Sequence, residues 1–328
     1  MLEITQNDID NVKAIAKGVI GFPEHGRRLW EGNKKGERFQ SIFGASSLVI
    51  AALWKLIKGD VGGLERKHLL CLLVFLKVYD TEDTHCCLVG WPPRKEFREK
   101  SWAIIKALSN AKGKVVRIEN RLQNAPRQRT DGKLFAYLTS DMTDCHINEP
   151  HPFDPKWFSK KFNGPGVTYL LAVANYSSNI CYAAGPWHAS ASESSCTKET
   201  LLKRIPRNEP VEVDKGPGGD PRLMGPVSGN TNRKRKLKSI ARARVENTFK
   251  QIKQFRCTDT RFRHTDTENE KMKMKHMICF YAVVVITQVK FMLEEDQLNE
   301  VPDDMNTVVY TMLRSEEHTS ELQSRQYL

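Results

Sequence analysis

The sequence lacks several patterns that would identify a function at once. Its 8 cysteines include no C-x-x-C pair, which argues against a zinc ribbon or a dithiol redox motif, so we expect reduced intracellular thiols. No G-x-x-x-x-G-K-[ST] motif follows the glycine-rich segment 214–219, which we interpret as a turn rather than a phosphate-binding loop. Residues 1–10 are polar and acidic, unlike the cationic start of a signal peptide, so secretion is not expected.

Long hydrophobic runs are also missing. The longest, residues 277–286, is too short to cross a bilayer and is soon followed by Gln288 and Lys290. We therefore expect a buried helix there, and no membrane partner.

Acidic residues are outnumbered by basic ones, 39 against 51, which gives a formal net charge of +12. Such a surface attracts polyanions, of which nucleic acid is the commonest and anionic membrane the second. A basic surface that binds nothing specific is the simpler alternative. Charge alone does not decide between these, so motifs must.

The 328 residues suffice for one medium and one smaller domain. Apolar residues recur at helical spacing over residues 43–57, with Ser46 or Ser47 as an N-cap. Residues 64–79 are strongly apolar and contain no proline or glycine, which predicts a second, mostly buried helix. An all-helical region, residues 43–118, is therefore expected after an N-terminal arm, residues 1–42.

The end of this region has the order of a helix-turn-helix module. A capping signature at Thr81 opens a short helix that ends at Gly90, and residues 94–108 predict a longer basic helix. A plain helical bundle with a solvated basic face fits the same pattern equally well. The candidate DNA contacts on the basic helix are Arg94, Lys95 and Arg98.

After a polar, loop-like segment, residues 120–131, the periodicity changes from helix to strand. Short runs rich in aromatic and β-branched residues predict four strands, at residues 134–139, 167–174, 180–184 and 211–213. A glycine- and proline-rich loop, residues 214–232, precedes a basic amphipathic helix predicted over residues 233–255. The sequence thus predicts a mixed α/β domain over residues 131–295.

Three carboxylates occupy positions that suit a metal site. Asp141 and Asp214 are predicted to follow the first and fourth strands directly, and Glu246 to lie on the helix after the loop. Strand ends hold side chains rigidly, and carboxylate oxygens are ligands that Mg²⁺ prefers. Taken singly, each has a simpler interpretation: a strand-end or turn residue for the aspartates, and an i,i+4 pair with Lys250 for Glu246.

Cations that flank these carboxylates in sequence are candidates for phosphate contact, with a solvated face as the alternative. They are Lys156, Lys160, Lys161, Arg242, Arg244 and Lys250. The basic run 233–236 is a candidate nuclear localisation patch or DNA contact. His146, His151 and His188 fit no zinc spacing, so we expect structural or DNA-facing roles for them.

Three ordered segments support a resemblance to a known family. They are residues 140–166, SDMTDCHINEPHPFDPKWFSKKFNGPG, residues 211–219, VEVDKGPGG, and residues 242–255, RARVENTFKQIKQF. In these motifs the chain resembles the Harbinger-type DDE transposases, which are related to the insertion-sequence-five group. The likeness continues upstream through FGAS and HLLCLLVFLKVYDTEDTHCCLVGW and covers roughly residues 43–293.

The resemblance implies a ribonuclease-H-like catalytic fold behind a helix-turn-helix-like region. It assigns catalytic, metal-binding roles to Asp141, Asp214 and Glu246, with two divalent ions, Mg²⁺ or Mn²⁺, that promote in-line cleavage and joining of DNA phosphodiesters. A nuclear setting, DNA at element ends and targets, and a separate Myb-like partner are further implications. The oligomeric state, including a homo-oligomer, is left open. Met142 and Pro217 depart from the family pattern, so an inactive, DNA-binding relative is the alternative.

The last segment, residues 314–328, reads RSEEHTSELQSRQYL and matches the conceptual translation of a sequencing-adapter oligonucleotide. We expect it to be an artefact that replaces the genuine C-terminus, and we exclude it from the fold.

Overall fold

The structure is a computed structural model, and it describes residues 3–20, 35–91, 94–125, 136–152, 154–214, 220–225, 232–264 and 269–298. The expected artefact, residues 314–328, and Pro217 lie outside the described residues.

The N-terminal part is helical, as predicted. Its helices are α1 (Gln6–Val19), α2 (Lys35–Phe43), α3 (Ser47–Ile57), α4 (Arg66–Val78), α5 (Glu82–Val89), α6 (Arg94–Asn110) and α7 (Lys112–Val115). Ser46 is the N-cap of α3 and accepts a hydrogen bond from the backbone N–H of Val49, as its position suggested. Thr81 caps α5, which ends where Gly90 adopts a left-handed conformation.

Helix α1, within the segment expected to be an N-terminal arm, packs into the fold. Helix α1 begins at a capping box between Thr5 and Asp8, and its residues Val12, Ala16 and Val19 are buried. An apolar face of this kind must pack against other elements to form a stable helix. It packs against α3 and α4.

The second part, over its described residues, combines a sheet with α-helices. Its strands are β1 (Leu138–His146), β2 (Phe158–Ser159), β3 (Gly164–Ala174), β4 (Ile180–His188), β5 (Val211–Val213) and β6 (Leu223–Met224). Its helices are α8 (Glu193–Glu199), α9 (Asn232–Lys253), α10 (Arg256–Asp259) and α11 (Asn269–Leu298). The predicted mixed α/β class is confirmed.

Strand β1 is central in the sheet. It pairs antiparallel with β3 along its full length and parallel with β5. Strand β3 also pairs antiparallel with β4, and β5 pairs parallel with β6. The strand order is β2-β3-β1-β5-β6, with β4 also on β3.

The predicted end of the first strand, at Thr139, was wrong. Strand β1 continues to His146 through polar residues, because β3 pairs with it up to that residue and satisfies the backbone groups along that edge. Asp141 therefore lies inside β1 and not beyond it.

Both faces of the sheet are covered, and β3 shows the alternation. Val167, Tyr169 and Leu171 belong to a large apolar cluster that includes α11 and residues of the N-terminal helices. Leu170 and Ala172, which point the other way, belong to a smaller cluster with residues of α8 and of a short 3-10 turn. One core thus joins the N-terminal helices to the sheet, and the expected domain division stays a prediction.

Helix α11 is the central helix of the large cluster. It packs against α3, α6, α7 and β4, and the predicted burial of residues 277–286 is confirmed. By length and composition alone, two segments could cross a membrane, Phe39–Ile57 and Lys271–Glu294. The second is longer than the apolar run 277–286 that was predicted from the sequence. In the second segment, 78% of its most apolar 18-residue window is buried inside the protein, and the first segment is interrupted between α2 and α3. Burial is the behaviour of a core helix.

Candidate functional site

The pairing of β1 with β5 brings two predicted site residues together. Ser140 lies opposite Val213 in this parallel register. Asp141 and Asp214 each come one residue later, Asp141 in β1 and Asp214 directly after β5. The side chains of Met142 and Val213 belong to the smaller cluster. Because side chains alternate along extended backbone, Asp141 and Asp214 face the opposite side of the sheet, which carries α9.

Helix α9 brings Glu246 to the same side. Val245 and Ile252 are buried, Phe249 is half-buried, and Glu246 lies exposed at the border of this stripe. The predicted amphipathic stripe is confirmed for these residues, and it packs α9 against β1 and β3. Glu246 forms no ion pair with Lys250 within the part of the chain that is described.

The surroundings of Asp141 mix burial with charge. Burial raises the pKa of its carboxyl group, and the hydrogen bond from the backbone N–H of Met142, 2.7 Å from Oδ1, opposes this. The positive charges of Lys161 and Arg242 lower the same pKa, and the carboxylate of Glu246 raises it. A partly buried carboxylate with both acidic and basic neighbours is a typical environment for a functional site.

Asp214 has a cationic partner of its own. The guanidinium of Arg242 forms an ion pair with its carboxylate, and the two side chains are 44% and 39% exposed. Among the described residues no group of three or more His, Cys, Asp or Glu side chains is arranged to hold a metal ion. Carboxylate oxygens are the donors that a hard divalent ion prefers, but the three carboxylates are not gathered into such a group, and Arg242 is paired with Asp214.

Met142 departs from the pattern of the family that the sequence resembles, but its side chain does not enter this site. Its side chain is buried in the smaller cluster, on the side of the sheet opposite Asp141. Its backbone carbonyl accepts a 2.9 Å hydrogen bond from Lys161 Nζ. The methionine side chain thus packs on the face of the sheet that carries the smaller cluster.

The lysines that follow β1 differ in their surroundings. Lys161 is tied to Met142, Lys156 pairs with Asp154 at 3.1 Å, and Lys160 is exposed. A hydrogen bond from Ser159 Oγ to Asp144, which joins β2 to β1, was not predicted from the sequence. No local sequence pattern predicts this contact, because the path of the loop between β1 and β2 determines which residues of the two strands meet.

The remaining cations of α9 also differ. Arg244 is half-buried; burial raises the pKa of Tyr176, and the charge of Arg244 acts against that rise. Lys250 is exposed. Lys253 donates to the carbonyls of Asp144 and Thr258, both at 2.7 Å, and so fixes α9 to β1. The side chains of the basic run 233–236 lie outside the described residues.

The helix-turn-helix-like segment binds two of its candidate cations internally. Arg98 Nε lies 3.0 Å from both carboxylate oxygens of Glu82, and Arg94 Nη1 lies 3.0 Å from Asp83 Oδ2. These pairs join α6 to α5, whereas Lys95 is exposed. A phosphate would have to share or displace these acidic partners, which favours the plain helical bundle for this segment.

The histidines near the site have aromatic neighbours. The ring of His146 lies 4.8 Å from that of Phe162, and the ring of His188 lies 4.5 Å from that of Trp157. These contacts are typical of packing roles. His151 is exposed. All 8 cysteines are free thiols, as expected.

No family model, curated protein or solved structure matches the chain.

Proposed function

We propose that the chain is a DDE-type DNA endonuclease and transposase in which Asp141, Asp214 and Glu246 are the catalytic carboxylates. The observation that supports this most directly is the register of β1 with β5, which puts Asp141 and Asp214 one residue after a paired position, with α9 packed on β1. The pairing of β1, antiparallel to β3 and parallel to β5, is compatible with the ribonuclease-H-like fold that the resemblance implies.

The substrate of the proposed reaction is a DNA phosphodiester. Two divalent ions, Mg²⁺ or Mn²⁺, would supply activation of the attacking oxygen and neutralisation of the leaving oxygen. The residues that would hold them are Asp141, Asp214 and Glu246. Lys161 and Arg242, whose charges act on Asp141, would hold the phosphate backbone nearby. A nuclear setting and a Myb-like partner are part of the proposal and rest on the resemblance.

The test is Mg²⁺-dependent nicking of supercoiled DNA by the full chain. Asp141→Asn and Glu246→Gln should reduce nicking to background, while both variants keep their affinity for DNA because they lose only acidic groups. The matched control is Glu149→Gln, which neutralises an exposed carboxylate close in sequence and should nick normally. Undiminished nicking by either site variant would rule out the assignment.

A catalytically inactive DNA-binding relative is the second candidate. It is favoured by the ion pair between Arg242 and Asp214, which leaves the carboxylates short of a formed metal centre in the described part of the chain. It predicts salt-sensitive DNA binding by the wild-type chain with no nicking in either Mg²⁺ or Mn²⁺. Nicking that Asp141→Asn abolishes would reject this candidate.

A further inference from the structure

We propose that Arg242 couples DNA binding to metal binding: it holds Asp214 until a DNA phosphate draws its guanidinium away, which frees the carboxylate for a divalent ion. The inference rests on the proposed function and adds a regulatory role to the same site.

Arg242 lies on α9 beside the candidate ligands. Arg242 precedes Glu246 by one helical turn on α9, so the two side chains share one side of the helix. Its guanidinium pairs with Asp214, and its charge also reaches Asp141. Arg242 thus pairs with one candidate ligand, acts by its charge on a second and lies one helical turn from the third.

The exposure of the pair makes it exchangeable. Arg242 and Asp214 are 44% and 39% exposed, so water competes for both partners and the pair is weak. The ion pair of Arg121 with Glu209 offers a contrast, since its side chains are only 9% and 6% exposed. A competing partner can therefore reach the pair of Arg242 with Asp214, whereas burial protects the pair of Arg121 with Glu209.

DNA offers Arg242 a better partner than one carboxylate. Guanidinium groups bind phosphate through two parallel hydrogen bonds, and the DNA backbone presents a continuous row of phosphates. Lys160 and Lys161 are exposed close in sequence to the strand that carries Asp141, where they add to the attraction. Because linkage is reciprocal, the ion must strengthen DNA binding by the same factor as DNA strengthens ion binding.

The experiment measures the affinity of the full chain for Ca²⁺ by calorimetry, with and without a random-sequence DNA duplex. For the wild type we expect the duplex to increase Ca²⁺ affinity by about tenfold, within the usual range of coupling between sites. Arg242→Gln should bind Ca²⁺ without DNA about as tightly as the wild type does with DNA, and the duplex should add little. Arg242→Lys, which keeps the charge but loses the paired donors, should lie between them.

Arg117→Gln is the matched control, because it removes another exposed arginine from a carboxylate pair, with Glu119, that is not among the candidate DNA contacts, and it should leave the coupling intact. Equal Ca²⁺ affinity of the wild type with and without DNA overturns the inference, and the proposed function survives if Asp141→Asn abolishes that binding. If neither the wild type nor Arg242→Gln binds Ca²⁺ in either condition, both the inference and the metal site are rejected.

Discussion

Tyr169 Oη and His276 Nδ1 lie 2.7 Å apart in a hydrogen bond that joins β3 to α11. Both side chains are buried, and Phe280 stacks on Tyr169 with ring centroids 3.7 Å apart. Burial lowers the pKa of His276 to about 3, because the charged imidazole would lose its hydration. The contact therefore ties the sheet to the central helix with a histidine that stays neutral.

This contact predicts a pH dependence of stability. The folded pKa of His276 lies below the usual value of about 6.5, so the unfolded chain takes up the proton first. Stability should be full above about pH 6.5 and fall as the pH is lowered towards 3, with a loss from this group of roughly 2 kcal/mol at pH 5. Urea unfolding of His276→Gln at pH 7 and pH 5 should show a smaller pH difference than the wild type. His151→Gln, an exposed control, should keep the wild-type difference, and equal pH differences in all three proteins would refute the prediction.

The buried ion pair between Arg121 and Glu209 should be a strong determinant of stability. Two hydrogen bonds of 2.8 and 2.9 Å join the guanidinium to the carboxylate. Glu209→Ala leaves the arginine buried without its counter-charge, so the free energy of unfolding should fall by about 3 to 5 kcal/mol. Glu119→Ala removes the partner of Arg117 in an exposed pair and should cost at most about 1 kcal/mol. Similar urea midpoints for the two variants would contradict this ranking.

Gly44, which lies between α2 and α3, packs closely against the ring of Phe255, which follows α9. Its φ of +75° is rarely adopted by L side chains, and an added Cβ would overlap the ring of Phe255. Gly44→Ala should therefore lower the free energy of unfolding by about 2 to 4 kcal/mol through strain and overpacking. Gly18→Ala, in α1 with no atom within 4 Å of the added Cβ, should leave stability unchanged or raise it by up to about 1 kcal/mol. Thermal unfolding of both variants tests the difference, and equal shifts would refute it.

The parts of the fold that local chemistry determines were predictable from sequence. Ser46, Thr81 and Gly90 mark helix ends because each cap satisfies backbone groups within a few residues. Strand β1 was not predictable to its end, because its pairing with β3 is non-local and overrides the polar character of Asp141 and Asp144.

The candidate site divides in the same way. That Asp214 directly follows β5 and that Glu246 lies on a helix could be predicted from the residues around them. That Arg242 pairs with Asp214 could not, because a glycine- and proline-rich loop separates them and its path decides which carboxylate the arginine meets. The internal pairing of Arg98 with Glu82 was hidden for the same reason, since it depends on how α5 packs against α6.

The lysines after β2 make a final prediction about DNA affinity. Lys160 and Lys161 are exposed, and Lys161 also donates to the Met142 carbonyl beside Asp141, so glutamine is the suitable replacement because it keeps a donor. If both lysines contact phosphates, the double variant Lys160→Gln with Lys161→Gln should lower the slope of log affinity against log salt by about 1.8, since each lost phosphate contact contributes about 0.9. Binding isotherms on a random-sequence duplex at several salt concentrations measure this. The control Lys13→Gln with Lys17→Gln removes the same charge from α1 and should leave the slope near the wild-type value. Equal changes in both double variants would mean that net charge, and not a contact at this edge of the sheet, determines DNA binding.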